Sequence, residues 1–394
     1  MNAAMDSRDA RIDALRGFAL LGILLVNIQS FVWGGTNPAG YLLDDATALD
    51  RALFFLTVAF VNVKFMPLFA MLFGVGFSLL LAKLVTRTSA PQTVYRRRLA
   101  FLFVFGILHG VFLYYGDITH MYAIAGLMLL QYAERDVAGL RRATLLWWLA
   151  AFVLVALLIG YAADRVPASD EVAAEVRDNF LVLTREGYVG QFGTRLALFF
   201  DIAIANVVGL PLTIALMLAG MLAQRSGSLA DRRATAWRKA TVLGVAVGLP
   251  AALMYGAIQY IEADAYGLGA YSVIAGLPGV VSVTLAFAYA AQFFTRAPAV
   301  IVQWLAPAGR MPLTNYLVQS IAMGALLSGW GFGLGAWLTY TQTALLAVTI
   351  FVVQVFASHL WLRHRRQGPL EAAWRRWTYY RMPPLSAPEV RTAE

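Results

Sequence analysis

The 394-residue sequence contains no cysteine, which excludes disulfides, thiolate metal sites and cysteine nucleophiles together. Charge is scarce as well: 13% of residues are Asp, Glu, Lys or Arg, about half of what a soluble domain carries. The ten-residue alternation of barrel strands is missing, and so are Walker, HExxH, GxSxG and EF-hand patterns. What is present in abundance is apolar residues, 60% of the chain, with a mean hydropathy of +0.66. They fall in long uninterrupted runs, and runs of that length are bilayer spans rather than core helices of a soluble domain.

Ten such runs stand at 15–33, 65–84, 99–115, 118–133, 143–163, 196–223, 240–261, 271–294, 312–329 and 336–362. Inside lipid the backbone must satisfy its own hydrogen bonds, so spans of this kind are helices. The sequence therefore predicts an all-α, polytopic transmembrane bundle of about ten spans, a single domain over residues 1–394. Arg8, Arg11 and Arg16 ahead of the first run resemble a signal peptide. That run is longer than an h-region and has no small-residue cleavage site behind it, so it reads as a retained first helix. Residues 50–63 are apolar but too short to span alone; they extend the second helix or re-enter from outside. An outer polar loop covers 164–195, where Val172, Val176 and Phe180 have the spacing of a short amphipathic helix at the surface.

The net charge of +9 does not point to nucleic acid, because its distribution is that of a membrane protein. With the N-terminus inside, 25 of the 31 Lys and Arg residues fall in the inner segments. The positive-inside rule then places both termini in the cytoplasm. The tail over 363–394 carries an interfacial helix: Glu371 and Arg375 are four apart, and Trp374, Trp377, Tyr379 and Tyr380 suit the headgroup belt. The glycine-rich stretch 329–335 lacks the strand–turn–helix setting of a nucleotide fingerprint and reads as a turn between the last two spans.

Polar side chains at bilayer depth are costly, so their positions point to function. At 1.5 Å per residue from the inner basic flank, Asn27 and His109 both lie about 16 Å deep. Gln319 and Gln354, counted from Arg310 and Arg363, lie at about 14 Å. Four helices thus set a hydrogen-bonding side chain near mid-membrane. Asn and Gln there also serve as packing glue between helices, and that reading stands beside the functional one for Gln319 and Gln354. His120, His359 and His364 fall near the interfaces. A second layer toward the outer face holds Lys64, Asp117 and Asp201, with Lys64–Asp117 as the expected ion pair. Against that, Lys64 can snorkel to the headgroups and Asp117 can cap the following helix.

Several stretches together resemble a known family. They are Arg11 to Ile28, Lys64 to Gly76, Leu108-His109 with Gly116-Asp117-Ile118, Gly309 to Ser320 (including Asn315, Tyr316 and Gln319), and Gly368 to Tyr379. They resemble the YeiB-like bacterial inner-membrane proteins, which carry the domain of unknown function 418. The family is distantly similar to membrane acyltransferases, among them acyltransferase family three and the heparan-glucosaminide acetyltransferases. Those enzymes pass an acyl group from a cytoplasmic donor to an acceptor across the membrane, using a histidine. Where the first group has Arg, ten residues and then His, this chain has Arg16 followed at that spacing by Asn27.

The resemblance implies an inner-membrane enzyme with an acyl-CoA donor, a lipid or sugar acceptor and no resident metal. Its expected catalytic groups are His109, as a relocated general base, and Asp117. The expected substrate contacts are Arg16, Asn27, Lys64, Arg310, Asn315 and Gln319, with Arg16 and Arg310 holding donor phosphates at the cytoplasmic mouth. Two other classes fit the same residues. One is a transporter or lipid-handling protein coupled through Lys64, Asp117 and Asp201, although no internal repeat is visible. The other is a non-catalytic scaffold. Membrane lipids are the common partner in all three.

Overall fold

A computed structural model describes residues 2–33, 46–162, 169–264 and 269–383. Arg165 and Arg391, two of the residues that bear on orientation, lie outside the described residues. Among those residues the chain is all-helical, with no strand. It opens with α1 (Asn2–Trp33), α2 (Ala48–Phe60), α3 (Phe65–Val85) and α4 (Pro91–Phe112). Next come α5 (Thr119–Met128), extended by a 3-10 turn at Leu129–Tyr132, then α6 (Val137–Ala162), α7 (Ser169–Arg185) and α8 (Phe192–Arg225). α9 (Thr235–Leu243) runs through a π-type turn, Gly244–Gly248, into α10 (Leu249–Asp264). The chain ends with α11 (Gly269–Ser282), α12 (Leu285–Arg296), α13 (Ala299–Arg310), α14 (Pro312–Leu327), α15 (Tyr340–His364) and α16 (Pro369–Thr378).

Seven helical segments among the described residues are long and apolar enough to cross a bilayer: Ala10–Val32, Ala48–Val85, Val137–Tyr161, Phe192–Arg225, Thr235–Ile261, Ala275–Arg296 and Tyr340–His364. Their surfaces invert the soluble pattern. On α15, Leu345, Val348, Val352, Phe356 and Leu360 recur every three or four residues and are exposed. The opposite face, with Thr343, Ala347, Phe351, Gln354 and Ser358, is buried. On α6, Leu145, Leu149, Val153 and Leu157 form a second exposed stripe. Apolar faces of this extent need an apolar solvent, so the molecule has the build of a helical membrane protein. The three remaining runs of the expected ten are α4, which carries Arg96, Arg97 and Arg98 within its first turns, the short α5, and the 16-residue α14.

The structure also breaks up several of the apolar stretches. Residues 50–63 contain a separate helix, α2, which begins with a Thr47–Asp50 capping box. It stops at a turn where Val63 has a φ of 51°. The run at 271–294 is split into α11 and α12. Residues 299–310, expected as an inner connection, form α13, which packs on α1 at Asp13 and Gly17. In the outer loop α7 is a full 17-residue helix whose Val176 is buried and whose Phe180 packs on the core; the side chain of Val172 is not among those described.

The core joins α1, α3, α4, α5, α8 and α12 to α15. One of its close crossings, α3 on α8, depends on two glycines. A Cβ at Gly220 would overlap the Met71 carbonyl, 2.8 Å from its carbon, and one at Gly74 would come within 2.6 Å of the Met217 carbonyl carbon. Small residues that let two backbones touch are a common way to pack helices in lipid, where burial of apolar area drives nothing.

Candidate functional site

Asp117, in the turn before α5, lies eight positions after His109, near the end of α4. Leu113 and Tyr114 both donate backbone N–H to the His109 carbonyl, and Asp117 N donates to Tyr114 O at 3.0 Å, so the chain reverses within one tight turn. α4 can lie against the start of α5 because Gly106 has no side chain. A Cβ there would sit 2.6 Å from Thr119 Oγ1 and 2.9 Å from Asp117 Oδ1. The turn aims Asp117 back at α4. Its Oδ1 accepts from Thr119 N (2.7 Å) and Thr119 Oγ1 (2.8 Å), with His120 Nδ1 at 3.4 Å. Its Oδ2 lies 2.8 Å from His109 Nδ1.

The other imidazole nitrogen of His109, Nε2, is 2.9 Å from Ser320 Oγ on α14. Asp117, His109 and Ser320 therefore form one line of hydrogen bonds, with residues at most 2% exposed. The carboxylate only accepts, so Nδ1 carries the proton and Nε2 is left to accept from the serine hydroxyl. Packing fixes the ring: Phe105 stacks on it at 5.5 Å between centroids, and Tyr316 lies at 4.9 Å.

Beside this line is a small apolar cleft of about 80 Å³. Leu20 and Ile23 of α1, Phe69 and Phe73 of α3, and Leu313 of α14 supply its walls. One end is reached by Trp374 of α16; the lining also includes Asn27, Thr119 and Tyr316. Thr119 bonds Asp117 and Tyr316 packs on His109, so the cleft adjoins the polar line without exposing it. The Asn27 side chain is buried, and its Oδ1 has no hydrogen-bond partner among the described residues. A buried amide oxygen left unmatched beside a cavity is a place for a ligand donor.

At the Trp374 end the polar chemistry is basic. The Arg98 guanidinium sits 3.4 Å over the Trp374 ring, and Trp374 Nε1 donates to Arg98 O at 2.8 Å. Glu371 of α16 caps α14, accepting from Leu313 N (2.7 Å), Thr314 N (3.0 Å) and Thr314 Oγ1 (2.5 Å). The foot helix is thereby tied to the helix that carries Tyr316 and Ser320.

The expected residues divide into groups. His109 and Asp117 meet, and Asn27 shares the neighbouring cleft. Arg16 is instead paired with Asp13 at 2.8 Å, and Arg310 donates to Arg366 O at 3.2 Å; neither lines the cleft. Asn315 and Gln319 are engaged elsewhere. Asn315 Nδ2 donates to Ala308 O and Ser358 Oγ, Gln319 Nε2 to Gln354 Oε1, and Gln354 Nε2 to Asn315 O, each at 3.0 Å. These four residues fasten α13, α14 and α15 together.

The expected Lys64–Asp117 pair does not form. Lys64 is 0% exposed, donates to Val58 O at 3.2 Å and lies 5.1 Å from the Tyr255 ring centroid, so it neither snorkels nor meets the carboxylate. The break between α2 and α3 accounts for this, because it leaves a carbonyl inside the protein for the ammonium. Asp201 is exposed on α8, apart from both. His120, expected near an interface, is buried beside Asp117. Counting depth along the sequence does not single out Ser320 or Arg98. Ser320 directly follows Gln319, itself at mid-depth, and Arg98 closes the Arg96–Arg98 run. Among the described residues no three His, Asp or Glu side chains are grouped to hold a metal ion.

Comparison with known proteins agrees with the family motifs. Residues 222–381 match the family described as "Protein of unknown function (DUF418)". An "Uncharacterized 39.9 kDa protein in amylase 3'region" of Bacillus acidopullulyticus is 30% identical, over 97% of each chain. YeiB of Escherichia coli strain K12 is 29% identical over 94% of this chain and 96% of its own. YxaH of Bacillus subtilis strain 168 is 24% identical over 95% of each. No solved structure matches. With relatives aligned from end to end and the motifs in order, the chain belongs to the YeiB-like DUF418 family.

Proposed function

We propose that this protein is an inner-membrane acyltransferase. In this reading it takes an acyl group from a cytoplasmic acyl-CoA and passes it to a lipid or sugar acceptor, with His109 as general base. The observation that supports it is the buried Asp117–His109 pair standing beside an apolar cleft with a basic end. Asp117 holds the imidazole in the tautomer that leaves Nε2 free to accept a proton, and burial in a dry site strengthens that bond. The cleft walls at Leu20, Phe69 and Phe73 suit a short acyl group, and the free Asn27 oxygen suits a donor group on the substrate. Arg98 beside Trp374 supplies positive charge for the donor phosphates.

The orientation belongs to the same reading. On this reading α4, α5 and α14 cross as well as the seven long apolar segments, ten crossings in all, and the bias of Lys and Arg supports cytoplasmic termini. Reporters fused to the C-terminus test this: a fluorescent protein there should fold and shine, and an alkaline phosphatase there should stay inactive. An active phosphatase at that end would overturn the orientation.

The chemical test uses the full-length protein in proteoliposomes of bacterial lipid, with radiolabelled acetyl-CoA and palmitoyl-CoA. Label should pass to lipid or added sugar, and His109→Ala should reduce the rate by roughly 100-fold or more. An unchanged rate in that variant would sink the assignment. Counterflow of substrate without any covalent product would favour a transporter instead.

A further inference from the structure

We infer that Ser320 is the nucleophile of this site, so that transfer runs through a covalent acyl-serine. The inference rests on the reading above and adds a step to it. Its basis is the alignment of Ser320 Oγ, His109 Nε2, His109 Nδ1 and Asp117 Oδ2, with bonds of 2.9 and 2.8 Å. A nucleophilic hydroxyl needs a neighbouring base and the base needs an orienting group, whatever the fold or chain order.

A structural role for the serine would leave a different signature. Hydroxyls within membrane helices ordinarily donate to the carbonyl one turn back, as Thr349 does to Leu345 O at 2.9 Å and Thr343 to Thr339 O at 2.8 Å. Ser320 has the same option in Tyr316 O, but that oxygen is 3.3 Å away, while the imidazole nitrogen is at 2.9 Å. Its single proton is therefore better placed on the ring than on the backbone. Ser358, on the next helix, bonds the Asn315 amide and has no base beside it.

The chemistry balances without any further reactant. Ser320 Oγ attacks the thioester carbonyl carbon of the donor as its proton passes to His109 Nε2. The Oγ–C bond forms, the C–S bond breaks, and the leaving thiolate takes the proton from Nε2. In the second half an acceptor hydroxyl gives its proton to Nε2 and its oxygen attacks the acyl carbon. The Oγ–C bond breaks and the serine regains its proton. Asp117 stays ionised throughout, holding Nδ1–H and stabilising the imidazolium that forms twice.

Access is through Tyr316. It is the last α14 residue lining the cleft, its ring lies against His109, and Ser320 is one turn beyond it. The ring must turn aside for an acyl carbon to reach Oγ. A closed ring keeps water from an acyl-serine formed behind it, which favours transfer over hydrolysis.

Two experiments decide the matter, both on full-length protein in lipid nanodiscs. In the first, a long-chain alkyl fluorophosphonate replaces its fluoride with a serine oxygen. Peptide mass spectrometry should find the adduct on Ser320, and His109→Ala or Asp117→Asn should slow labelling by roughly 10²–10⁴-fold. No adduct, or an adduct elsewhere, overturns the proposal. The second exploits the absence of cysteine from the chain. Ser320→Cys introduces a single thiol, and an ordinary thiol titrates near pH ~8.5. Beside His109, the introduced thiol should react with iodoacetamide almost as fast at about pH 6 as at about pH 8, and His109→Ala should restore the ordinary profile. An ordinary profile with His109 intact overturns the proposal even if every variant folds.

The outcomes also separate this step from the function it rests on. If Ser320→Ala keeps His109-dependent acyl transfer, the acyl-serine is wrong and the acyltransferase stands. If Ser320 is labelled but no acyl-CoA is ever consumed, the nucleophile stands and the donor assignment fails.

Discussion

Replacing Gly220 with alanine tests the α3–α8 crossing on which the core is built. A methyl group there would overlap the Met71 carbonyl, with its carbon at 2.8 Å and Val75 N at 3.1 Å, where ordinary contact begins near 3.4 Å. The obstacle is helical backbone, which cannot turn aside as a side chain can. The two helices must part by about an ångström, loosening Leu68, Met71 and Val75 from Met217, Leu218 and Met221. Overpacking of this kind costs about 1–3 kcal/mol, and a backbone obstacle puts Gly220→Ala near the top of that range. At roughly 2 °C per kcal/mol for a large domain, the melting point should fall by about 6 °C. Gly74→Ala should do the same from the other side, and the double variant should cost less than the sum, because both push one interface apart. Gly209→Ala is the control on the same helix, since its added methyl meets nothing within 4 Å. Intrinsic tryptophan fluorescence of purified protein during heating provides the assay. If Gly220→Ala melts with Gly209→Ala, the close approach of α3 and α8 is refuted.

The remaining expectations concern the cleft and its basic end. Glu371→Ala removes three hydrogen bonds and leaves two first-turn donors of α14 without their partner, at a cost of about 2–3 kcal/mol. Limited trypsin digestion at Arg375 and Arg376 should then accelerate, whereas Glu371→Gln, which keeps an acceptor, should be affected less. Tyr316→Ala opens the path past the ring and should raise the rate of fluorophosphonate labelling at Ser320; an unchanged rate would mean that the ring is no barrier. Asn27→Leu fills the polar end of the cleft with a side chain of similar size and should raise the KM for acyl-CoA or acceptor while leaving the melting point within a few degrees.

The all-helical membrane build can be read from residue order, because the length of an apolar run is a local property. The same depth count places Asn27 and His109 on separate helices at one level. α7 and the foot helix α16 are visible from side-chain spacing. What escapes is set by contacts far apart in sequence. The Gly74–Gly220 crossing joins residues 146 positions apart, and neither glycine differs in appearance from the others in apolar runs. α13 reads as a connection because Arg296, Pro298 and Pro307 break the apolar pattern, yet it folds along α1. Charge alone pairs Lys64 with Asp117; the turn after α2 offers its ammonium the Val58 carbonyl, and the turn after α4 offers the carboxylate two histidines.

The mid-membrane polar residues, alike by depth, differ in whether their bonds close on one another. Asn315, Gln319, Gln354 and Ser358 form a set of mutual bonds across α13, α14 and α15, which is what packing glue requires. His109 and Asp117 are held as firmly but are joined to a group with chemistry of its own, the Ser320 hydroxyl. Asn27 is different again, with a carbonyl oxygen left open beside a cleft. Gln319 Oε1 is also buried without a partner among the described residues, but Gln319 does not line the cleft, whereas Asn27 does. The proposed substrate site therefore rests on two features together, the open amide beside the cleft and the aligned serine, histidine and aspartate.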